Sequence, residues 1–270
     1  MYQSREREAP PERRRGGSLV RLRLLGVLSA IESSILDGSP RVGPKPLALL
    51  AYCHLASPAG AINRDSLLGL FWPDLDQARS RRALRQAVHA LRGVFGPDVI
   101  HSLGKHLVVL PGGAVTSDVS VFRWLGREGR YEAALAFYSG DFIAGANLLH
   151  VSDELNEWIE GTRRSLLEDA IGFALALCPG TGDVRDLERW ARRALELSGH
   201  RERVMREILV ECAGRGHTGL AMDLYTDHGA WLDDLGGLRP TPATRKLFAD
   251  LFFREEPTGP DTQLDFFRGP

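Results

Sequence analysis

Cysteine is scarce in this 270-residue chain, and its three copies, Cys53, Cys178 and Cys212, lie far apart with no C-x-x-C pair. That spacing excludes a disulfide framework or a zinc knuckle and fits a reducing compartment. Long apolar runs are missing too: no stretch reaches the ~18 residues a spanning helix needs. The opening segment, MYQSREREAPPERRRGG, is charged and has no apolar centre, so it does not read as a secretory signal. The sequence has no G-x-x-x-x-G-K-[ST] loop, no H-E-x-x-H pair and no G-x-S-x-G elbow. His54, His89, His101 and His106 therefore lack the partner spacing that metal or general-base chemistry requires. The expectation is a cytoplasmic, nucleoid-associated protein that is not an enzyme, takes no cofactor and has no membrane attachment.

Net charge is also nearly absent, at −1, but this is a sum of opposites. Residues 1–110 hold 16 Lys+Arg against 9 Asp+Glu, and residues 111–270 hold 18 against 26. Removing the first seventeen residues leaves the first part at +5. Such asymmetry suggests that one half meets a polyanion and the other does not.

What is present divides the chain. Residues 1–17 read as a disordered basic arm and 255–270 as a tail. Residues 18–112 begin with LVRLRLLGVL, alternating apolar and basic, and a second short strand candidate over 30–36. PKPLALLAYCHLA predicts a buried helix, RDSLLGLFW a short helix capped by Asn63 and ended by Pro73, and 75–95 a long helix stopped at Gly96-Pro97. VIHSL-GK-HLVVL predicts a hairpin. Strands, three helices and a hairpin are the order of a winged helix-turn-helix. From Asp118 the pattern reads helical, and Leu187/Ala191 recur as Leu220/Leu224, an offset close to the ~34-residue tetratricopeptide period. The expected fold is mostly α with small β-sheets: a winged helix-turn-helix domain, then an all-α tetratricopeptide-like domain over 113–254.

The long helix carries the chemistry. Projected at ~100° per residue, Leu84, Ala87, Val88, Leu91, Val94 and Phe95 share one face. Arg82, Gln86 and His89 lie opposite, Arg79 is just off the centre line, and Arg85 and Arg92 stand on a flank. No acidic residue occurs from Gln77 to Phe95, whereas a solvated surface helix mixes signs to gain i,i+4 pairs. Arg suits guanine O6/N7 and Gln suits adenine N6/N7 in a major groove. Arg82, Gln86 and His89 are thus the expected base readers. Arg79, Arg85 and Arg92 are expected on phosphates, with Lys105 and His106 at the hairpin tip and Arg41 and Lys45 before the first buried helix. The alternative is a helical scaffold or sensor whose basic half binds nucleic acid non-specifically. RNA readers stack bases on sheet aromatics, and LVRLRLL offers none.

LVRLRLLGVL, RVGPKPLALLAYCHLA and, most specifically, FWPDLDQARSRRALRQAVHALR resemble bacterial transcriptional activators of the antibiotic-regulatory-protein (SARP) class. SDVSVF, YEAALAFYSGDFIAG, EWIEGTRRSLLE and HGAWLDDLGGLRPTPATRKLF resemble the bacterial transcriptional activation domain that accompanies them. The resemblance spans roughly residues 19–252. It implies binding of double-stranded promoter DNA at direct repeats as a homodimer, and recruitment of RNA polymerase holoenzyme through a sigma factor or core subunits. In related winged helices the loop between the second and third helices touches polymerase. Here that loop is Phe71-Trp72-Pro73-Asp74-Leu75-Asp76, which makes Asp74 and Asp76, with Trp72, the implied contacts. One departure stands out: the Asp-Pro-Leu-x-Glu helix start common in the second domain is replaced by LSGHRERVMRE.

Overall fold

The computed structural model describes residues 19–32, 42–56, 61–109, 113–146, 148, 150–180 and 182–253. The arm expected at 1–17, the tail at 255–270 and Arg41 lie outside those residues. The described chain is mostly helical with two small sheets, and it separates into two compact units at Ala174/Leu175. None of its described helices is long and apolar enough to cross a membrane.

The first unit opens with β1 (Val20–Arg23), in which buried Val20 and Leu22 alternate with exposed Arg21 and Arg23. This period of two gives the strand one face for a core. β1 pairs antiparallel with β2 (Ser29–Glu32) and, on its other edge, parallel with a three-residue strand at Val115–Ser117. α1 (Pro44–Leu55) carries prolines in its first turn and buries Leu47 through Ala51 and Cys53. Because that apolar set wraps most of the helix, α1 sits at the centre of the unit. β3 (Ala61–Asn63) leads directly into α2 (Arg64–Phe71), whose cap is Asn63 accepting from Asp65 N at 2.8 Å. α3 (Gln77–Phe95) follows, then a short 3-10 turn and the hairpin β4 (His101–Leu103) and β5 (His106–Val108). The strand at Val115–Ser117 is β6.

α4 (Asp118–Arg127) starts on a residue that holds the unit together. The Asp118 carboxylate accepts from the backbone N–H of Leu24 and Leu25 at 2.9 and 3.0 Å and of Val119 at 2.8 Å. Burial raises its pKa, opposed by those donors and by Arg23. α5 (Tyr131–Leu135) is short, and residues 139–146, 148 and 150–152 are not helical, unlike the sequence reading. Phe142 and Ala144 instead make isolated bridges to Leu25 and Val27. Arg163 on α6 (Asp153–Leu177) fixes this segment by donating to the carbonyls of Phe142 and Ile143 at 2.8 and 3.2 Å. Trp158 of the same helix packs edge-on against Tyr52 of α1 and Phe142. The compact unit therefore extends past the boundary expected at 112/113, because β6 completes the first sheet and the start of α6 lies on α1.

The second unit contains α7 (Val184–Ser198), α8 (Glu202–Gly214), α9 (Thr218–Asp234) and α10 (Pro242–Phe252). These are two successive helix pairs, the architecture that the 33-residue offset anticipated: Leu187, Ala191 and Leu224 are buried and Leu220 is half-buried. α7 ends in a left-handed Gly199, with Gly199 N donating to Glu196 O and His200 N to Leu195 O. This paired closure supplies the turn between α7 and α8 without the family's proline. Glu202 at the start of α8 accepts from Thr241 N and from the hydroxyls of Thr241 and Thr244, which ties the starts of α8 and α10 together.

His54 of α1 lies beside the Ser120 hydroxyl at 3.0 Å, and burial lowers its pKa from 6.5 to about 4. The unfolded chain therefore takes up the proton first. This contribution to stability is intact above pH ~6.5 and is lost as pH falls towards about 4, by up to roughly 3 kcal/mol. His54→Gln should lose less stability than wild type between neutral pH and about pH 5. Urea midpoints of the two proteins check this, and the comparison cancels the depressed His200 and His228 of the second unit.

Candidate nucleic-acid interface

α3 is built to present one face. Ser80, Leu84, Ala87, Val88, Leu91 and Phe95 are buried, which fixes the rotation of the helix about its axis. Val94, expected with them, is half-buried. Arg79, Arg81, Arg82, Arg85, Gln86 and His89 are exposed on the remaining surface. Among the described residues, no hydrogen bond or ion pair engages the side chains of Arg82, Arg85, Gln86 or His89. Arg79 lies 3.2 Å from Asp76 and Arg81 lies 3.9 Å from Asp65, and all four side chains are more than half exposed. Surface pairs of this kind hold little energy and exchange easily for a stronger anion.

α7 provides a control within the same chain. It is also arginine-rich, yet Arg189 pairs with Asp186, Arg192 with Glu188 and Asp227, and Arg193 with Glu196. There three of the four arginines are matched on or near their own helix, as a solvated face requires. On α3, Arg82 and Arg85 have no such partner among the described residues.

The hairpin is fixed to α3 and α2. β5 pairs with both β4 and β3, so β3, which carries no periodic signal in the sequence, completes a three-stranded sheet in the order β3-β5-β4. Arg64 N donates to Lys105 O at 2.9 Å. Gly104 turns the hairpin with φ 55°, the left-handed conformation that glycine takes at the first position of a two-residue loop. Lys105 and His106 are exposed at the tip.

Several expected contacts have other partners. Arg92 donates from Nε and a terminal nitrogen to Ile100 O at 3.0 and 2.8 Å, and again to Ser102 Oγ at 2.9 Å. It is thus a strut between the last turn of α3 and the hairpin rather than an arginine extended towards phosphate. Lys45 also departs from the phosphate role: its Nζ donates to His150 O at 3.0 Å and lies 5.6 Å from the centre of the Trp72 ring. Burial lowers its pKa, with Asp74 opposing. In the α2–α3 loop, Trp72 is half-buried against Phe71, which leaves it mainly a packing residue. Asp76 caps α3, accepting from Arg79 N at 2.9 Å. Asp74 remains at the surface, 3.4 Å from the exposed His150 ring.

The sequence reading missed Arg64 and Arg81. Together with Arg85, His89, Arg92 and Lys105 they surround a cleft of about 720 Å³ between α2, α3 and the hairpin. Its apolar wall comes from Leu68, Leu84, Val88 and Leu107, and among the described residues Asp65 is the one carboxylate lining it. No signal on α3 pointed to Arg64, which comes from another element; pairing of β3 with β5 brings it there. A group of metal-ligating side chains is not found among the described residues.

The described elements form a winged helix-turn-helix followed along the chain by helix pairs. Residues 122–251 match the family model of the bacterial transcriptional activator domain, so this part of the chain is similar to that domain. The fold is similar to that of Mycobacterium tuberculosis EmbR in complex with low affinity phosphopeptide, with 18% identity and a TM-score of 0.57. That alignment covers 88% of this chain and 66% of the other, so this chain spans just under two thirds of that protein's length. At this identity the likeness concerns the fold alone. No curated protein matches the sequence significantly.

The cap assignment is directly testable. Asp76→Ala removes an N-cap acceptor and should destabilise the unit by about 1 kcal/mol, whereas Asp76→Asn should lose only a few tenths. Chemical denaturation of the two variants measures the difference.

Proposed function

We propose that the chain is a sequence-specific DNA-binding transcriptional activator. The observation that carries this reading is the exposed face of α3, free of acidic residues along the helix, on which Arg82 and Arg85 lack the local partners that Arg189, Arg192 and Arg193 of α7 possess. Arg82, Gln86 and His89 read base edges in the major groove. Arg79 and Arg85, with Lys105 and His106 at the hairpin tip, hold phosphates and set the register. The protein acts as a homodimer on direct repeats. Asp74 offers an exposed carboxylate on an otherwise basic domain to RNA polymerase holoenzyme. Non-specific binding by a helical scaffold would need no ordered polar triad on one helix face, so the Arg82-Gln86-His89 set favours the specific reading.

Arg82→Ala should weaken binding to the cognate promoter fragment by about 1–3 kcal/mol and relax preference at one base position. Competition gel shifts with single-base variants read both effects. Unchanged affinity and preference would remove Arg82 from the groove. For the polymerase contact, Asp74→Ala should leave promoter affinity at the wild-type level and reduce transcript output in a reconstituted system. Full output from this variant would overturn that assignment. Asp74 is the informative position because the cap at Asp76 couples that residue to α3 itself.

A further inference from the structure

Three buried side-chain nitrogens without a hydrogen-bond partner among the described residues fall together in the second unit: Nδ1 of His200 and both ring nitrogens of His228. Buried polar groups are nearly always paired, so three exceptions in one place call for a cause. His228 lies on α9 and is 0 % exposed, which leaves no room for water beside its ring. His200 follows the left-handed Gly199 and is itself left-handed, with φ 52°. That turn lays its ring over α9, where it stacks on Trp231 with centroids 4.6 Å apart and lies 5.9 Å from the His228 ring, nearly parallel to both. A neutral imidazole has one donor and one acceptor nitrogen, and His228 satisfies neither. Protonation would bring a second N–H and a full charge into the same dry stack.

The charged groups facing the pair come from three helices. α7 directs Glu196 towards His200, and α9 adds Asp227, which Arg192 already binds. α8 directs Glu202 towards His228. The Glu202 carboxylate is occupied by Thr241 N and the hydroxyls of Thr241 and Thr244 at the start of α10, with Arg206 3.8 Å away. These carboxylates favour the charged imidazoles, yet burial outweighs them and holds both histidines below the ordinary 6.5. Charge on His200 further opposes charge on His228, so the two titrate as a pair.

We propose that the His200–His228 stack is a proton-sensitive latch, which holds α9 against the α7–α8 turn at neutral pH and releases it under mild acid. The sign follows from linkage: histidines of the opened segment take up protons near pH ~6.5, before those of the closed one. The latch is fully engaged above that pH and weakens as pH falls below it. A charged His228 also competes for Glu202, the residue that fastens the start of α10, so α10 loosens with α9. The device lies wholly within the second unit and operates whether or not the first unit binds DNA.

Peptide-resolved hydrogen exchange of the full chain between neutral pH and about pH 5.5, corrected for the intrinsic pH dependence of exchange, tests the latch. Protection of α9 and of the start of α10 should fall by up to about tenfold per pH unit for each proton taken up on opening. His228→Leu replaces the unpaired ring with an apolar side chain. It should melt no lower than wild type at neutral pH and keep its α9 protection nearly constant as pH falls. His200→Asn suits the left-handed backbone and should remove part of the pH dependence. Wild-type protection that does not fall with pH, or a fall that persists in His228→Leu, overturns the latch. If His228→Leu does not fold, the wild type decides: an NMR titration of its imidazole C–H signals should place the His228 midpoint below ~6.5. A midpoint at or above that value overturns the proposal.

Discussion

Burial of Leu84, Ala87, Val88, Leu91 and Phe95 is the constraint on which the site depends. A helix with such a stripe cannot rotate about its axis without exposing it, at about 25 cal/mol for every Å² returned to water. The outward direction of Arg82, Gln86 and His89 therefore follows from the packing of the opposite face. Cap and strut act at the two ends. Asp76 closes the first turn of α3 and Arg92 ties the last one to the hairpin. The loop ahead of α3 is held in turn by Lys45, whose contacts to His150 and Trp72 keep it against the segment that precedes α6.

The long elements were legible because periodicity accumulates over many residues. α1, α3 and the pairs from α7 to α10 all carry enough apolar repeats to declare themselves, and the absence of acids on α3 pointed to its partner class. The three-residue strands were not legible: β3 and β6 contain too few side chains for alternation to show, and their existence depends on the neighbouring strand. Residues 139–146 failed for a related reason. YEAALAFYSGDF continues a helical spacing, but the backbone bridges to Leu25 and Val27 and the pull of Arg163 prevail over local preference.

Within the candidate site the same division holds. Exposure of Arg82, Arg85, Gln86 and His89 followed from the helical projection. The partners of Arg92, Lys45 and Asp76 did not, since an arginine that donates to a distant carbonyl looks the same in sequence as one that faces solvent. Arg64 was hidden for a third reason: its role arises from the junction between a strand and a helix, and only pairing of β3 with β5 places it beside α3. Asp118 shows how such junctions set boundaries. By accepting from Leu24 and Leu25 it joins the first sheet to α4, so the activator domain match at 122–251 begins inside a compact unit rather than after it.

The double fixing of the hairpin, to β3 on one side and through Arg92 to α3 on the other, gives the proposed interface the character of a caliper. The distance between the helix and the hairpin tip is set by backbone ladders and short hydrogen bonds, which do not stretch to suit a partner. A duplex that fits must bring its own groove width to that spacing. Sequences that narrow or widen easily would be favoured at positions no side chain touches, because the energy of deformation falls on the DNA.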